Sequence, residues 1–195
     1  PEWNMMSTMT ITRRALLGTA CAGLIRGQAG GRPPNLLFLL GDDHRWDALG
    51  CMGNPIIQTP NIDSLSQSGV TFENNFVTTA ICVTSRASFF TGLYARKHGI
   101  LAFNQQFAAE QLARTYPAQL RKSGYRTGFI GKYGLDGGDL PVNGFDYWRG
   151  FRGQGKYFPK GEPGVHLTQV MSDQAVEFLQ GSKQDQPFSL SVSFK

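Results

Sequence analysis

The sequence predicts an α/β fold in which a mainly parallel sheet is flanked by helices. Three observations carry this. Leu36-Leu37-Phe38-Leu39-Leu40 is an unbroken apolar run, the pattern of a strand buried on both faces of a parallel sheet. Arg126–Ile130 and Phe188–Phe194 are further strand-like runs. Between these runs lie segments with helix start and stop signals, and a helical crossover is what lets successive strands run parallel.

Each element has a local justification. The first run comes after Pro33-Pro34 and is closed by Gly41. Thr59-Pro60-Asn61-Ile62-Asp63-Ser64-Leu65 reads as a helix start, with proline in the first turn and Gly69 as the stop. Val70-Thr71-Phe72 and Phe76-Val77 read as extended chain. Ser85–Thr91 is a second helix ended by Gly92, and Thr115–Lys122 a third ended by Gly124. The strand at Arg126–Ile130 is expected to end at Gly131. Asp139–Lys160, rich in glycine, proline and aromatics, is expected to be loop. Leu167–Leu179 places Val170, Ala175, Val176 and Leu179 at helical spacing. There is no internal repeat and no low-complexity tract.

The 195 residues suit one ordinary domain or part of a larger one, and 41% hydrophobic content supports a packed core. The chain begins at Pro1 and stops straight after its last strand-like run. It therefore reads as a fragment, incomplete at the C-terminus, with residues 1–32 as an N-terminal extension and residues 33–195 as the first part of the domain body. The net charge is +5, but residues 1–32 hold Arg13, Arg14, Arg26 and Arg32 against Glu2. Without that segment the body has a net charge of only +2, with no basic stripe, which argues against a nucleic-acid partner. Thr12-Arg13-Arg14-Ala15-Leu16-Leu17 is a twin-arginine pattern, continued by an apolar run from Ala15 to Ile25 and small residues at 28–31. The run is too short for a stable membrane span and fits a signal peptide, with a core helix as the plainer alternative. Export to the periplasm or beyond is the consequence of that reading. Outside the signal, Cys51 and Cys82 are too few for a disulfide framework, though an exported chain permits one bridge.

Sites in open α/β sheets gather at the carboxyl ends of strands, so the residues after Leu40, Val77 and Ile130 matter most. After Leu40 come Gly41-Asp42-Asp43-His44. Adjacent carboxylates can hold a hard cation such as Ca²⁺ or Mg²⁺ if the chain turns, which Gly41 would permit. A solvated loop pair is the plainer alternative. After Val77 comes Cys82-Val83-Thr84-Ser85-Arg86-Ala87-Ser88-Phe89-Phe90-Thr91-Gly92. If Cys82 opens the helix, its free N–H groups favour an anion, and Arg86 returns to the same face one turn later. A buried structural cysteine with a surface arginine would also fit. After Ile130 comes Gly131-Lys132-Tyr133-Gly134. Here a lysine can meet an anionic substrate as a point charge, or simply face water. The Walker spacing is absent, as are a GxSxG elbow, an HExxH pair and a Rossmann fingerprint. Of the histidines, His44 could contact ligand or substrate, His98 reads as structural, and His166 as a helix cap.

Taken in order, Pro34–Asp43, Thr59–Leu65, Cys82–Gly92 and Gly124–Lys132 resemble the sulfatase family of the alkaline-phosphatase-like superfamily, from about Asn35 onward. The resemblance implies that Cys82 is oxidised by a maturation enzyme to formylglycine, whose hydrate attacks the sulfate sulfur. It implies Asp42 and Asp43 as calcium ligands (magnesium being the alternative), joined by Cys82 in its formylglycine form. Arg86 would hold the formylglycine hydrate and Lys132 would bind sulfate. The substrate would be a sulfated small molecule or glycan. Three departures stand out. Thr84 occupies a position where the family usually has proline or alanine. Gly134 stands where a histidine often comes after the lysine. The remaining metal ligands belong downstream, so these residues alone are expected to be inactive. A phosphate or phosphonate ester hydrolase of the same superfamily, and a non-catalytic binding relative, are the alternatives.

Overall fold

The computed structural model describes residues 31–160 and 164–195. The twin-arginine segment lies outside these residues. Strands β1 (Leu36–Leu40), β2 (Arg126–Lys132), β3 (Tyr147–Phe151) and β4 (Phe188–Ser193) form one sheet in the order β1-β4-β2-β3. Every pairing is parallel, as the alternation of strand and helix predicts. The helices are α1 (Pro60–Ser68), α2 (Cys82–Thr91), α3 (Ala95–His98), α4 (Ala109–Leu112), α5 (Tyr116–Lys122) and α6 (Leu167–Gln180). Pro34–Lys195 forms one unit. Among the described residues no helix is long and apolar enough to cross a membrane.

The period of two along a strand sends neighbouring residues to opposite faces, and β2 shows it directly. Phe129 joins a cluster with Val83, Ala87 and Phe90 of α2, while Ile130 joins one with Met171 and Phe178 of α6. Helices therefore cover the sheet on both faces, and β2 is buried from Thr127 to Lys132.

Four expectations are corrected. Among the described residues β1 forms as expected but is not buried on both faces: Leu36 to Leu39 are between 39% and 55% exposed, and β4 is its single sheet neighbour. The predicted loop at 139–160 contains β3. Its own alternation was masked by flanking glycines, yet Trp148 stacks on Phe129 at 5.1 Å while Tyr147 meets Phe178 at 5.4 Å on the other face. Gly131 does not end β2, which continues to Lys132. At Gly131 φ is +99°, and a Cβ would run into the Ser193 carbonyl and the Met171 methyl, so glycine there permits close strand and helix approach. Residues 70–77 contain no strand, so the segment before α2 is irregular chain rather than a strand end. The short helices α3 and α4 have too few residues for a periodic signal.

Candidate active site

The parallel register brings Leu40, Ser193, Lys132 and Phe151 to one edge of the sheet. The segments that leave the four strands therefore converge there. After β1, the turn expected at Gly41 is made at Asp43, which takes φ +50°. Asp and Asn tolerate this left-handed region better than other non-glycine residues. Asp42, Asp43 and His44 line a cavity of about 240 Å³ together with Cys82, Ser85 and Arg86.

Cys82 is the first residue of α2, preceded by Ile81 in extended conformation. The helix start expected at Cys82, whose free N–H groups can face an anion, is thus formed. Cys82 is half-buried, and both Cys82 and Cys51 are free, so the permitted bridge does not form. Arg86, one turn on, is 3% exposed rather than at the surface. Its Nη1 donates to the Lys132 carbonyl at 2.6 Å and to Ser193 Oγ; its Nη2 donates to the Phe194 carbonyl at 3.4 Å and lies 3.6 Å from Asp42. One guanidinium thus ties together the ends of β1, β2 and β4. Burial pulls its pKa below the ordinary arginine value, and Asp42, Cys82, Asp136 and Asp43 push it back up. With so high a starting value the group stays charged.

Lys132 is 2% exposed, so it is not a solvated surface lysine. Its Nζ donates to Asp42 Oδ2 and, at 2.6 Å, to Gln154 Oε1. Asp42 is consequently shared by two buried cations, the arrangement that makes burying charge tolerable. Tyr133 is buried, and burial, with Asp136 adding, raises its phenol well above the ordinary value, so it remains protonated.

Gly134 has a physical reason. Its φ is +79°, and a Cβ there would come within 2.6 Å of Arg86 Cδ. Arg86 as placed excludes any side chain at this position, histidine included. His44 is exposed at the cavity wall. His98 is buried and structural, and His166 caps α6 by accepting from the Thr168 amide at 3.2 Å. Sequence reasoning missed Ser193 and Gln154. Ser193 lay inside a strand run, and the only signal at Gln154 was its flanking glycines.

Asp42 and Asp43 suit a hard divalent cation in kind, being oxygen donors brought to one cavity by the turn at Asp43. Among the described residues no cluster of three or more His, Cys, Asp or Glu surrounds a single point. Two carboxylates are part of the six to eight oxygens that a calcium ion takes.

Known proteins share the sequence pattern and the fold of this chain. The sulfatase family profile matches residues 34–195. An N-acetylglucosamine-6-O-sulfatase of Bacteroides thetaiotaomicron is 31% identical over 195 residues, covering 94% of this chain and 34% of that protein. A solved structure of a protein in complex with its substrate D-glucosamine-2-N,6-O-disulfate is 30% identical, with a TM-score of 0.73 over 84% of this chain and 34% of the other. The phosphonate monoester hydrolase of Agrobacterium radiobacter, 22% identical, shares the fold with a TM-score of 0.67 over 83% of this chain and 40% of its own. The chain thus spans about a third of the length of its first relatives. With its motifs in order and its strand ends converging on one cavity, the chain belongs to the sulfatase family.

Proposed function

We propose that the protein is a sulfuric ester hydrolase acting on a sulfated glycan or a smaller sulfated molecule. The observation that carries this is the meeting of Cys82, at the start of α2, with Arg86, Asp42 and Asp43 around one cavity, and with Lys132 bonded to Asp42. Cys82 is the residue oxidised to formylglycine, and its sulfur stands where the hydrate oxygens would sit. One hydrate oxygen attacks sulfur as the ester alcohol leaves. The second hydroxyl then loses its proton as the aldehyde reforms and sulfate is released, which a plain cysteine or serine cannot do. Arg86 orients the hydrate, and Lys132 supplies positive charge to the sulfate oxygens. Asp42 and Asp43, with oxidised Cys82, would hold calcium or magnesium, which neutralises charge on the transferring group. His44 reaches substrate from the cavity wall. Residues 1–32 serve as a twin-arginine signal, and a formylglycine-generating enzyme is the maturation partner.

Mass spectrometry of the Cys82 peptide from the full-length protein, co-expressed with a maturation enzyme, tests this reading. An aldehyde in place of the thiol is expected, together with faster turnover of an aryl sulfate than of the matched aryl phosphate. A fully alkylatable Cys82 would sink it. Faster phosphate turnover would move the protein to the phosphate or phosphonate ester hydrolases.

A further inference from the structure

Lys132 Nζ has three donors to place, and one goes to a residue outside every motif recognised in the sequence. Gln154 Oε1 accepts it at 2.6 Å. We propose that Gln154 is a positioning residue that aims the Lys132 ammonium at the substrate's sulfate without cancelling its charge; this rests on the sulfate-ester reading above.

The loop carrying Gln154 is built to deliver it. Phe151, the last residue of β3, is the register partner of Lys132, and Gln154 lies three residues on. Gly153 and Gly155 take φ of +61° and +69°, so the side chain sits at the tip of a corner that residues with a Cβ rarely form. A Cβ on Gly155 would come within 2.6 Å of the Phe151 ring. The corner is anchored to the chain beyond β2: the Gly153 amide donates to Asp136 Oδ2 at 2.9 Å, and Arg152 Nη1 donates to the Asp136 carbonyl at 2.7 Å. The residue is itself exposed, yet its oxygen serves an almost fully buried cation.

Chemistry distinguishes the two acceptors on Lys132. Asp42 is anionic and is shared with Arg86. If it also ligates a divalent ion, less of its charge remains for the lysine. Gln154 is neutral. It fixes the direction of one N–H while leaving the full positive charge for an anion, whereas a carboxylate in its place would offset the cation and repel sulfate.

The test compares Gln154→Ala and Gln154→Glu in the full-length protein, with inorganic sulfate as inhibitor and 4-nitrophenyl sulfate as substrate. Gln154→Ala should raise both the sulfate inhibition constant and KM about tenfold, with a smaller change in kcat. Gln154→Glu keeps an oxygen for Lys132 but should weaken sulfate further than the alanine variant does. Melting midpoints should match wild type. The proposal is overturned if Gln154→Ala retains wild-type sulfate inhibition, if Gln154→Glu binds sulfate better than Gln154→Ala, or if losses merely track a fall in melting midpoint. Should the wild type hydrolyse no sulfate ester, the function proposed above fails on its own. Calorimetric titration with sulfate then decides Gln154: weaker binding in the variants supports it, and equal binding, or none by wild type, overturns it.

Discussion

The two ends of α2 bury polar groups in opposite ways. At the N-terminal end Arg86 is buried and charged, with Asp42, Asp43 and Asp136 acting on it and three acceptors at the ends of β2 and β4 taking its hydrogen bonds. Beyond the C-terminal end His98 is equally buried, and burial alone lowers its pKa, so it is neutral. Its Nδ1 accepts from the Ile100 amide at 3.0 Å, which leaves the proton on Nε2 to donate to Ser88 Oγ at 3.1 Å. The difference is the supply of carboxylates. Where they converge, a cation survives burial; where none acts, the same helix is tied down by a neutral ring.

Removing the charge should produce the largest effect. Arg86→Met leaves the Lys132 and Phe194 carbonyls and Ser193 Oγ without their donor, and leaves Asp42 with one cation fewer. Loss of about 3–5 kcal/mol is expected, read as a lower urea midpoint at unchanged slope. Arg86→Lys should recover part of it, since a point charge replaces only some of the fork. A loss under about 1 kcal/mol would mean that Arg86 is not the tie between the strand ends.

At the other end the lever is pH. Because His98 titrates below its ordinary value in the folded chain, the unfolded chain takes up the proton first as pH falls. Above about 6.5 both states are neutral and the His98 contribution is complete. It is then lost as pH drops below that value, until the folded state protonates too. The melting midpoint should fall on acidification from pH 7.5 to 5 by less than Arg86→Met costs. His98→Asn, whose oxygen can still accept from Ile100, should flatten that part of the profile. An unchanged slope would show that His98 is not the titrating group.

Strands β1, β2 and β4 were legible because apolar and alternating runs have a local cause, and so was the order of the segments that line the cavity. Three things were not. The exposure of β1 goes with its single sheet neighbour among the described residues, which no local pattern encodes. β3 was hidden because Tyr147-Trp148 sits among glycines, and its alternation shows only against Phe129 and Phe178. Gln154 and Ser193 are ordinary polar residues whose roles come from register, which places them beside Lys132 and Arg86 through pairings between distant segments. Gly134 stands where a histidine often comes, and the place of Arg86 Cδ, 2.6 Å from where a Cβ would sit, supplies the reason.

The smallest expected effect separates partnered from unpartnered burial within α2 itself. Thr84 lies two residues from Arg86 and is 1% exposed, but its Oγ1 has no hydrogen-bond partner. A buried hydroxyl without a partner keeps its desolvation cost with no return bond. Thr84→Val preserves the shape and removes the hydroxyl, and should stabilise the fold by about 1 kcal/mol. Thr84→Ser keeps the hydroxyl and deletes a packed methyl, and should destabilise by about 1 kcal/mol. Paired urea titrations measure both. If valine instead destabilises, the hydroxyl has a partner in solution, and the contrast with Arg86 becomes one of charge rather than of satisfaction. A third variant, Thr84→Ala, probes maturation, because Thr84 departs from the usual proline or alanine: its aldehyde fraction at Cys82 should equal or exceed that of wild type, and a lower fraction would show that this threonine helps the maturation enzyme recognise the motif.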